Sequence, residues 1–366
     1  MTKKIFILSG EASGDLHAAN LVHEMKRIQP NLAFQGWGGD RLQQEGVVIK
    51  KHIRELAFMG FLEVVLNLKT ILKNFKICKK EILDFKPDIL ILVDYPGFNL
   101  RIAEWAKQEN IRVFYYVSPQ IWAWKKNRVF KIKKSVERMY CILPFEKDFY
   151  KQYEIDVNYL GHPLLDEVQH FRTQHQEDLP SFQKPILAIL PGSRKQEIER
   201  KLPIMLEAAK HFSAYHILVA CAPNLDLSYY DKYKVEGVDF IQGKTYSILN
   251  VANVAIVTSG TATLETALFR VPQVVCYKSS PASYWIARSL IHIKYISLVN
   301  LILDKAAVKE LIQADCSVQK IVSELKKIEE GKEGRSKMIT DYDNLVQLLG
   351  EKGASARIAE NMLQNL

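Results

Sequence analysis

Lys4-Ile5-Phe6-Ile7-Leu8-Ser9-Gly10-Glu11-Ala12-Ser13-Gly14-Asp15 joins an apolar run to a glycine-bearing loop. Four apolar residues break into a loop carrying two glycines, and a helical pattern follows from Leu16. A parallel strand that feeds a glycine-containing loop and then a helix N-terminus is how an open α/β sheet builds a ligand site. Gly10 and Gly14 permit close backbone approach to a ligand, and the free N–H groups of the helix start favour an anionic partner. The spacing is neither G-x-x-x-x-G-K-[ST] nor G-x-G-x-x-G, so neither a P-loop nor a dinucleotide fingerprint is supported. The same residues also fit a plain strand-to-helix turn.

Working outward, strand and helix alternate along the chain. Apolar runs predict strands at Lys4–Leu8, Leu32–Gln35, Ile89–Asp94, Arg112–Val117, Met139–Ile142 and Val157–Leu160. After a polar stretch at 166–184, read as a linker or an exposed helix and loop, the alternation restarts. Strands are expected at Ile186–Leu190, Ala214–Ala220, Asp239–Gln242, Val254–Val257 and Gln273–Tyr277, and the tail from Val308 reads as wholly helical. Two doubly wound α/β domains with a cleft between them is the economical architecture. The expected division is 1–168 and 169–366, with the last helices free to pack back on the first domain.

A chain of 366 residues has room for two cores. The longest uncharged stretch, Thr245 to Leu264, contains Asn250, Asn253, Thr258, Ser259 and Gly260, too polar for a bilayer span. Lys3-Lys4 is followed by too short an apolar run for a secretory signal. Cys78, Cys141, Cys221, Cys276 and Cys316 form no C-x-x-C pair and read as reduced thiols in a cytosolic protein. No H-E-x-x-H or Cys/His cluster suggests a metal, and no cofactor is implied. The net charge is +9, and the segment 69–134 alone holds 15 basic residues against 6 acidic ones. Such a local excess suits an anionic membrane face, a phosphorylated ligand or nucleic acid.

Three loops carry candidate chemistry. Asp94, after the apolar strand Ile89–Val93, lies at the expected cleft edge with Asn99 close behind. Partial burial there raises a carboxylate's pKa and makes a usable general base, although Asp94 could equally cap a helix that Pro96 starts. Gly192-Ser193-Arg194 opens a crossover in the second half, where backbone donors and a guanidinium fork suit a diphosphate. Ser259-Gly260-Thr261-Ala262 follows another apolar strand, and Glu265, one turn into the helix, can reach ribose hydroxyls. Each of these loops also fits an ordinary helix start.

Two further segments mix apolar and basic residues. Leu62, Val65, Leu68, Leu72 and Phe75 share one helix face, which Val64 and Ile71 widen, and Lys69, Lys73, Lys76, Lys79 and Lys80 flank it. The pattern suits a helix lying on an anionic bilayer or a core helix with a solvated edge. Trp122-Ala123-Trp124-Lys125-Lys126-Asn127-Arg128 interleaves aromatics with cations, as for base stacking or a lipid headgroup layer, or simply packs two tryptophans under a loop. His162 reads more readily as structural than as catalytic, and His17, at the first helix, could face the cleft, although no Ser/His/Asp order or Cys/His pairing can be argued.

Taken in order, the Ser9–Asp15 loop, Tyr116–Trp124, Leu143-Pro144-Phe145-Glu146, Gly161-His162-Pro163, Leu190–Arg194 and Ser259–Glu265 resemble the lipid-A-disaccharide synthases over nearly the whole chain. The resemblance implies a GT-B glycosyltransferase fold, two Rossmann-like domains facing across a cleft. It implies inverting transfer from UDP-2,3-diacylglucosamine to the 6-hydroxyl of 2,3-diacylglucosamine 1-phosphate (lipid X), without a metal. It places the protein peripherally on the cytoplasmic face of a Gram-negative inner membrane, binding no nucleic acid and compatible with a homodimer.

By position, the resemblance makes Asp94 and Arg194 catalytic. Gly10, Glu11, Ser13, Gly14, Asp15, Asn99, Ser193, Ser259, Gly260, Thr261, Ala262, Glu265 and Asn300 become substrate contacts. Leu62, Val64, Val65, Leu68, Ile71 and Leu72 face the membrane. Val299 replaces the proline that usually precedes the family's asparagine. A UDP-sugar epimerase on the same scaffold and a basic nucleic-acid binder are the competing classes. The second leaves the Gly-Ser-Arg and Ser-Gly-Thr loops without a purpose.

Overall fold

The computed structural model describes residues 2–56, 68–174, 179–281, 284, 288–289 and 293–366. They form two compact units, Met1–Pro163 with Glu351–Leu366, and Leu164–Gly350.

In the first unit β1 (Lys3–Ser9), α1 (Ala12–Ile28), β2 (Leu32–Gly38), α2 (Asp40–Gln44), β3 (Val48–His52), α3 (Leu68–Phe85) and β4 (Ile89–Val93) alternate. They are followed by α4 (Pro96–Gln108), β5 (Arg112–Tyr116), α5 (Val129–Ser135), β6 (Arg138–Cys141), α6 (Glu146–Lys151) and β7 (Asn158–Tyr159). The seven strands are ordered β3-β2-β1-β4-β5-β6-β7, every pairing parallel. Ile89-Leu90-Ile91-Leu92-Val93 is buried throughout, as a central strand covered on both faces must be. One face is covered by Cys78 and Ile82 of α3, Ile102, Ala103 and Ala106 of α4, and Val129 and Ile132 of α5. The other is covered by Ala18, Leu21, Val22 and Met25 of α1 with Ile358, Ala359 and Met362 of the C-terminal helix Ala354–Gln364.

That helix is also tied by polar contacts within the unit. Tyr140 donates to Asn361 Oδ1 at 2.9 Å, Arg112 to the Asn365 carbonyl at 2.6 Å, and Arg357 Nε to the Leu160 carbonyl at 3.0 Å. β3, absent from the expected strands, is an edge strand carrying Lys50 and Lys51, which weakens its apolar signature and guards the sheet edge.

The second unit comprises α7 (Leu164–Gln174), β8 (Ile186–Leu190), α8 (Lys195–Ala209), β9 (His216–Cys221), β10 (Val238–Gln242), α9 (Thr245–Val251) and β11 (Ala252–Thr258). It continues through α10 (Thr261–Leu268), β12 (Gln273–Tyr277), α11 (Leu298–Leu303), β13 (Lys309–Ile312), α12 (Val318–Lys326) and α13 (Glu333–Leu349). Its sheet is again parallel, ordered β10-β9-β8-β11-β12-β13. β13 corrects the expectation of a wholly helical tail. Lys309-Glu310-Leu311-Ile312 pairs with β12 at the sheet edge, where only Leu311 is fully buried, so four residues gave no strand period to read.

Truncating Met362, fully buried beneath α1, leaves a cavity in the first unit's core. Met362→Ala is expected to destabilise that unit by about 2–5 kcal/mol, read from the midpoint of urea unfolding.

Candidate active site

In each sheet the strand order reverses between two central neighbours, β1 and β4 in the first and β8 and β11 in the second. Ligands of doubly wound sheets bind at such a switch point, beyond the carboxyl ends of the strands. The register sets the loops side by side, Ser9 opposite Val93 and Leu190 opposite Val257. The four loops singled out from sequence therefore fall in two pairs.

In the first unit Asp94 and Tyr95 both have left-handed backbone, φ 46° and 49°, a conformation that costs a non-glycine residue roughly 1–2 kcal/mol. Three contacts on the Asp94 backbone hold it there: its N–H donates to the Tyr116 carbonyl at 3.1 Å, and its carbonyl accepts from Tyr115 Oη at 2.5 Å and Asn99 Nδ2 at 2.8 Å. Burial, with the nearby Glu11 charge adding to it, pushes the half-buried Asp94 carboxyl from the usual 3.8 to about 7. A helix-capping role for Asp94 is not what forms: Tyr95 is the N-cap residue of α4, and no side chain caps it.

Several expected ligand contacts have other duties. Asn99 is wholly buried and its amide also reaches the Val93 and Leu8 carbonyls, so it positions Asp94, while its Oδ1 meets no hydrogen-bond partner among the described residues. Asp15 is buried, with Oδ1 accepting from Gly39 N at 2.6 Å and Oδ2 from Arg41 N at 3.1 Å. It fastens the start of α2. The glycines answer to packing as well. A Cβ on Gly10 would lie 2.4 Å from the Tyr95 ring and one on Gly14 2.7 Å from Ser9 Oγ. Glu11, the half-buried N-cap residue of α1, and exposed Ser13 in its first turn remain at the surface of the loop.

Sequence reasoning missed what braces the loop after β5. Glu146 is fully buried, accepting from Leu143 N at 3.0 Å and Trp122 Nε1 at 3.2 Å, while Ser118 Oγ and Tyr150 Oη lie 2.8 Å apart. Burial pushes the Glu146 carboxyl up to about 7 against these stabilising bonds. Only the fold reveals this, because the indole that Glu146 accepts from is 24 residues away. His17 and His162 are buried, and burial holds them down at about 4 and about 3, so both are neutral structural groups at pH 7.

In the second unit Gly192 has φ 107°, and a Cβ there would sit 2.5 Å from Glu197 Oε2 and 3.4 Å from Thr258. The loops after β8 and β11 are thus in contact. Arg194 is the N-cap residue of α8; its side chain is 56% exposed and lies 3.5 Å from Glu197 Oε1. Ser193 is exposed beside it. Gly260, φ 142°, is the N-cap residue of α10 and has open space where a Cβ would stand, followed by exposed Thr261 and half-buried Ala262. Ser259 Oγ donates to the Ile296 carbonyl at 2.9 Å. Glu265 accepts from Tyr246 Oη at 3.1 Å, and burial pushes it up to about 7.

Asn300, expected as a substrate contact, has partners within its own unit. It is buried, its Nδ2 donates to the Val308 carbonyl and Glu310 Oε1, and its Oδ1 accepts from Val308 N, each at 2.9 Å. Glu310 also accepts from Ile296 N, Ser297 N and Ser297 Oγ. Asn300 and Glu310 knot the 296–310 crossover, a pairing that their separation of ten positions concealed in the sequence.

The membrane-facing expectation is only partly open to view. Leu62, Val64, Val65 and the Leu68 side chain lie outside the described residues. Ile71 is half-buried and Leu72 is 51% exposed, whereas Phe75 of the same expected stripe turns inward and stacks on Phe98 at 4.1 Å. Among the described residues no group of His, Cys, Asp and Glu could hold a metal, and no helix is long and apolar enough to cross a membrane.

Paired parallel α/β units with loops converging at each switch point define a GT-B type nucleotide-sugar scaffold. The solved glycotransferase of kitacinnamycin superposes with a TM-score of 0.71 at 12% identity, covering 100% of this chain and 99% of that one. A UDP-GlcNAc 2-epimerase from Neisseria meningitidis gives 0.69 at 14%, covering 99% and 100%. The fold alone therefore does not separate transfer from epimerisation. The sequence does: residues 5–364 match the family model for lipid-A-disaccharide synthetase. A lipid-A-disaccharide synthase of Myxococcus xanthus (strain DK1622) is 39% identical over 373 residues, 99% of this chain and 97% of that protein. The chain belongs to the lipid-A-disaccharide synthase family and is a glycosyltransferase.

The buried Glu146 has a measurable signature. Its folded-state pKa, about 7, exceeds the usual 4.5, so its contribution to stability is complete below pH 4.5 and is lost as pH rises to about 7. Glu146→Gln is expected to remove up to about 3 kcal/mol of that pH dependence, measured as the difference between variant and wild-type unfolding across pH 4.5–8.

Proposed function

We propose that the chain transfers 2,3-diacylglucosamine from UDP-2,3-diacylglucosamine to the 6-hydroxyl of lipid X, giving the β-1,6 disaccharide 1-phosphate and UDP. The reading rests on family membership and, within the chain, on one observation: a strained, pinned Asp94 whose carboxyl is pushed up to about 7 at the switch point. A base of that pKa is ionised in about half the molecules near neutral pH and can still hold a transferred proton.

Asp94 accepts the proton of the acceptor hydroxyl as its oxygen attacks the anomeric carbon and the bond to the UDP oxygen breaks. The anomeric centre carries oxocarbenium character in the transition state. Negative charge then grows on the leaving diphosphate. Arg194 and the open backbone at Gly192–Ser193 and Gly260–Thr261 supply a guanidinium and helix-start N–H groups for it. Fixed donors of this sort need no reorganisation as the charge develops.

The acylated substrates imply work at a lipid surface, and we place the enzyme peripherally on the cytoplasmic face of the inner membrane. Exposed Leu72 with Lys69, Lys73, Lys76 and Lys80 around it supports this for α3. A helix that returns antiparallel to its sheet begins at the carboxyl edge, so the start of α3 lies on the same edge of the unit as Asp94.

Asp94→Ala is expected to lower turnover by about two to four orders of magnitude while UDP-donor binding persists. Near-normal turnover would remove Asp94 as the base. In the wild type kcat/KM should rise with pH and level off above about 7, where the carboxylate is ionised. Glu11→Gln removes a like charge and should move that rise to lower pH. Arg194→Ala should reduce kcat roughly a hundredfold, and unaltered inhibition by UDP would contradict its contact with the diphosphate.

A further inference from the structure

In the first unit Lys125 and Arg128, between β5 and α5, and Arg101 of α4 have no acidic partner among the described residues. Lys125 Nζ lies 4.4 Å and the Arg128 guanidinium carbon 5.3 Å from the centre of the Trp124 ring. The Arg101 guanidinium stands 5.7 Å from the Phe75 ring, at the end of an aromatic row running Phe75, Phe98, Tyr95. Tyr95 follows Asp94 directly. Arg128 is half-buried and close enough to feel both Arg101 and Tyr115, the residue whose hydroxyl donates to the Asp94 carbonyl.

Acids are available nearby but are spent elsewhere: Lys131 pairs with Glu104 at 2.8 Å and Lys133 with Glu154 at 3.1 Å. Among the described residues Arg101, Lys125 and Arg128 form no ion pair. Burial depresses both Lys125 and Arg128 below their ordinary values, with the Arg128 charge adding to it at Lys125 and the Arg101 charge adding to it at Arg128. Partly desolvated positive charge without a counter-charge is costly, and an anion from outside the chain relieves it.

We propose that Arg101, Lys125 and Arg128 form the seat of a phosphomonoester on the acceptor sugar, holding that sugar with its hydroxyl toward Asp94. The proposal rests on the transferase reading above and names which part of the acceptor this cluster grips. Guanidinium groups match phosphate oxygens in bidentate pairs, and the Trp124 ring, 36% exposed, gives Lys125 and Arg128 a flat apolar platform beside the anion. A phospholipid headgroup presents the same chemistry, so the test must separate the two sources.

The full-length protein and the variants Arg101→Gln, Lys125→Gln and Arg128→Gln would be titrated with lipid X and with its dephosphorylated counterpart in detergent micelles, without donor. Wild type should prefer the phosphorylated acceptor. The arginine variants should lose about ten- to a hundredfold of affinity for it. Affinity for the dephosphorylated sugar and the KM for UDP-donor should stay unmoved, and Arg128→Lys should restore part of the loss. Exposed Lys125 can be changed without touching the core, so its variant guards against misfolding as the cause.

Retention of the wild-type preference in all three variants would overturn the seat. So would a retained preference accompanied by loss of sedimentation with phosphatidylglycerol vesicles, which would assign the anion to the bilayer. Absence of transfer by the wild type to lipid X would instead strike the transferase reading, and is scored separately with UDP release.

Discussion

Parallel pairing of two central strands is the constraint on which everything else in each unit rests. In an all-parallel sheet every strand ends on the same edge, and where the order reverses the connecting helices leave to opposite faces and open a crevice. Ser9 opposite Val93 fixes the Gly10 loop against Asp94, and Leu190 opposite Val257 fixes Gly192 against Thr258. A slip of one residue would turn each strand's buried set outward, so burial on both faces enforces the register that the chemistry requires.

Around these crevices many polar residues hold loops in place. Asn99, Asp15, Asn300 and Glu310 spend their hydrogen-bonding capacity on backbone groups or on one another. Each fixes a loop that would otherwise be free to move. Asp94, by contrast, engages its carboxylate only with the neighbouring Tyr95 N–H among the described residues, while its backbone is held by three contacts. The left-handed turn at Asp94 and Tyr95 costs free energy that the Tyr115 and Asn99 bonds offset. Rigidity of that kind is what proton transfer at a defined position demands.

Electrostatics follow the same division. Burial raises Asp94, Glu146 and Glu265 alike to about 7, yet only Asp94 stands at the switch point with its strained backbone. Glu146 braces the Trp122 loop, and Glu265 answers Tyr246. A shifted pKa therefore marks a low-dielectric setting, and geometry decides whether that setting serves chemistry or architecture. Arg101, Lys125 and Arg128, which form no ion pair among the described residues, are the converse case.

The class of fold and the strand-to-helix loops at the carboxyl edge of each sheet were legible in the order of residues alone. Continuous apolar runs such as Ile89–Val93 and glycine-bearing turns such as Gly10–Gly14 are local signals, readable wherever period and turn chemistry agree. Short edge strands escaped that reading, because β3 and β13 carry charge and bury little. The partners of polar side chains escaped it too. Asp15 reaching Gly39, Glu146 reaching Trp122 and Asn300 reaching Glu310 are contacts made only when distant segments fold together. Tertiary structure alone decided which candidate residues remain open to a ligand, since hydrogen-bond saturation and burial are properties of the packed chain and not of its order of residues.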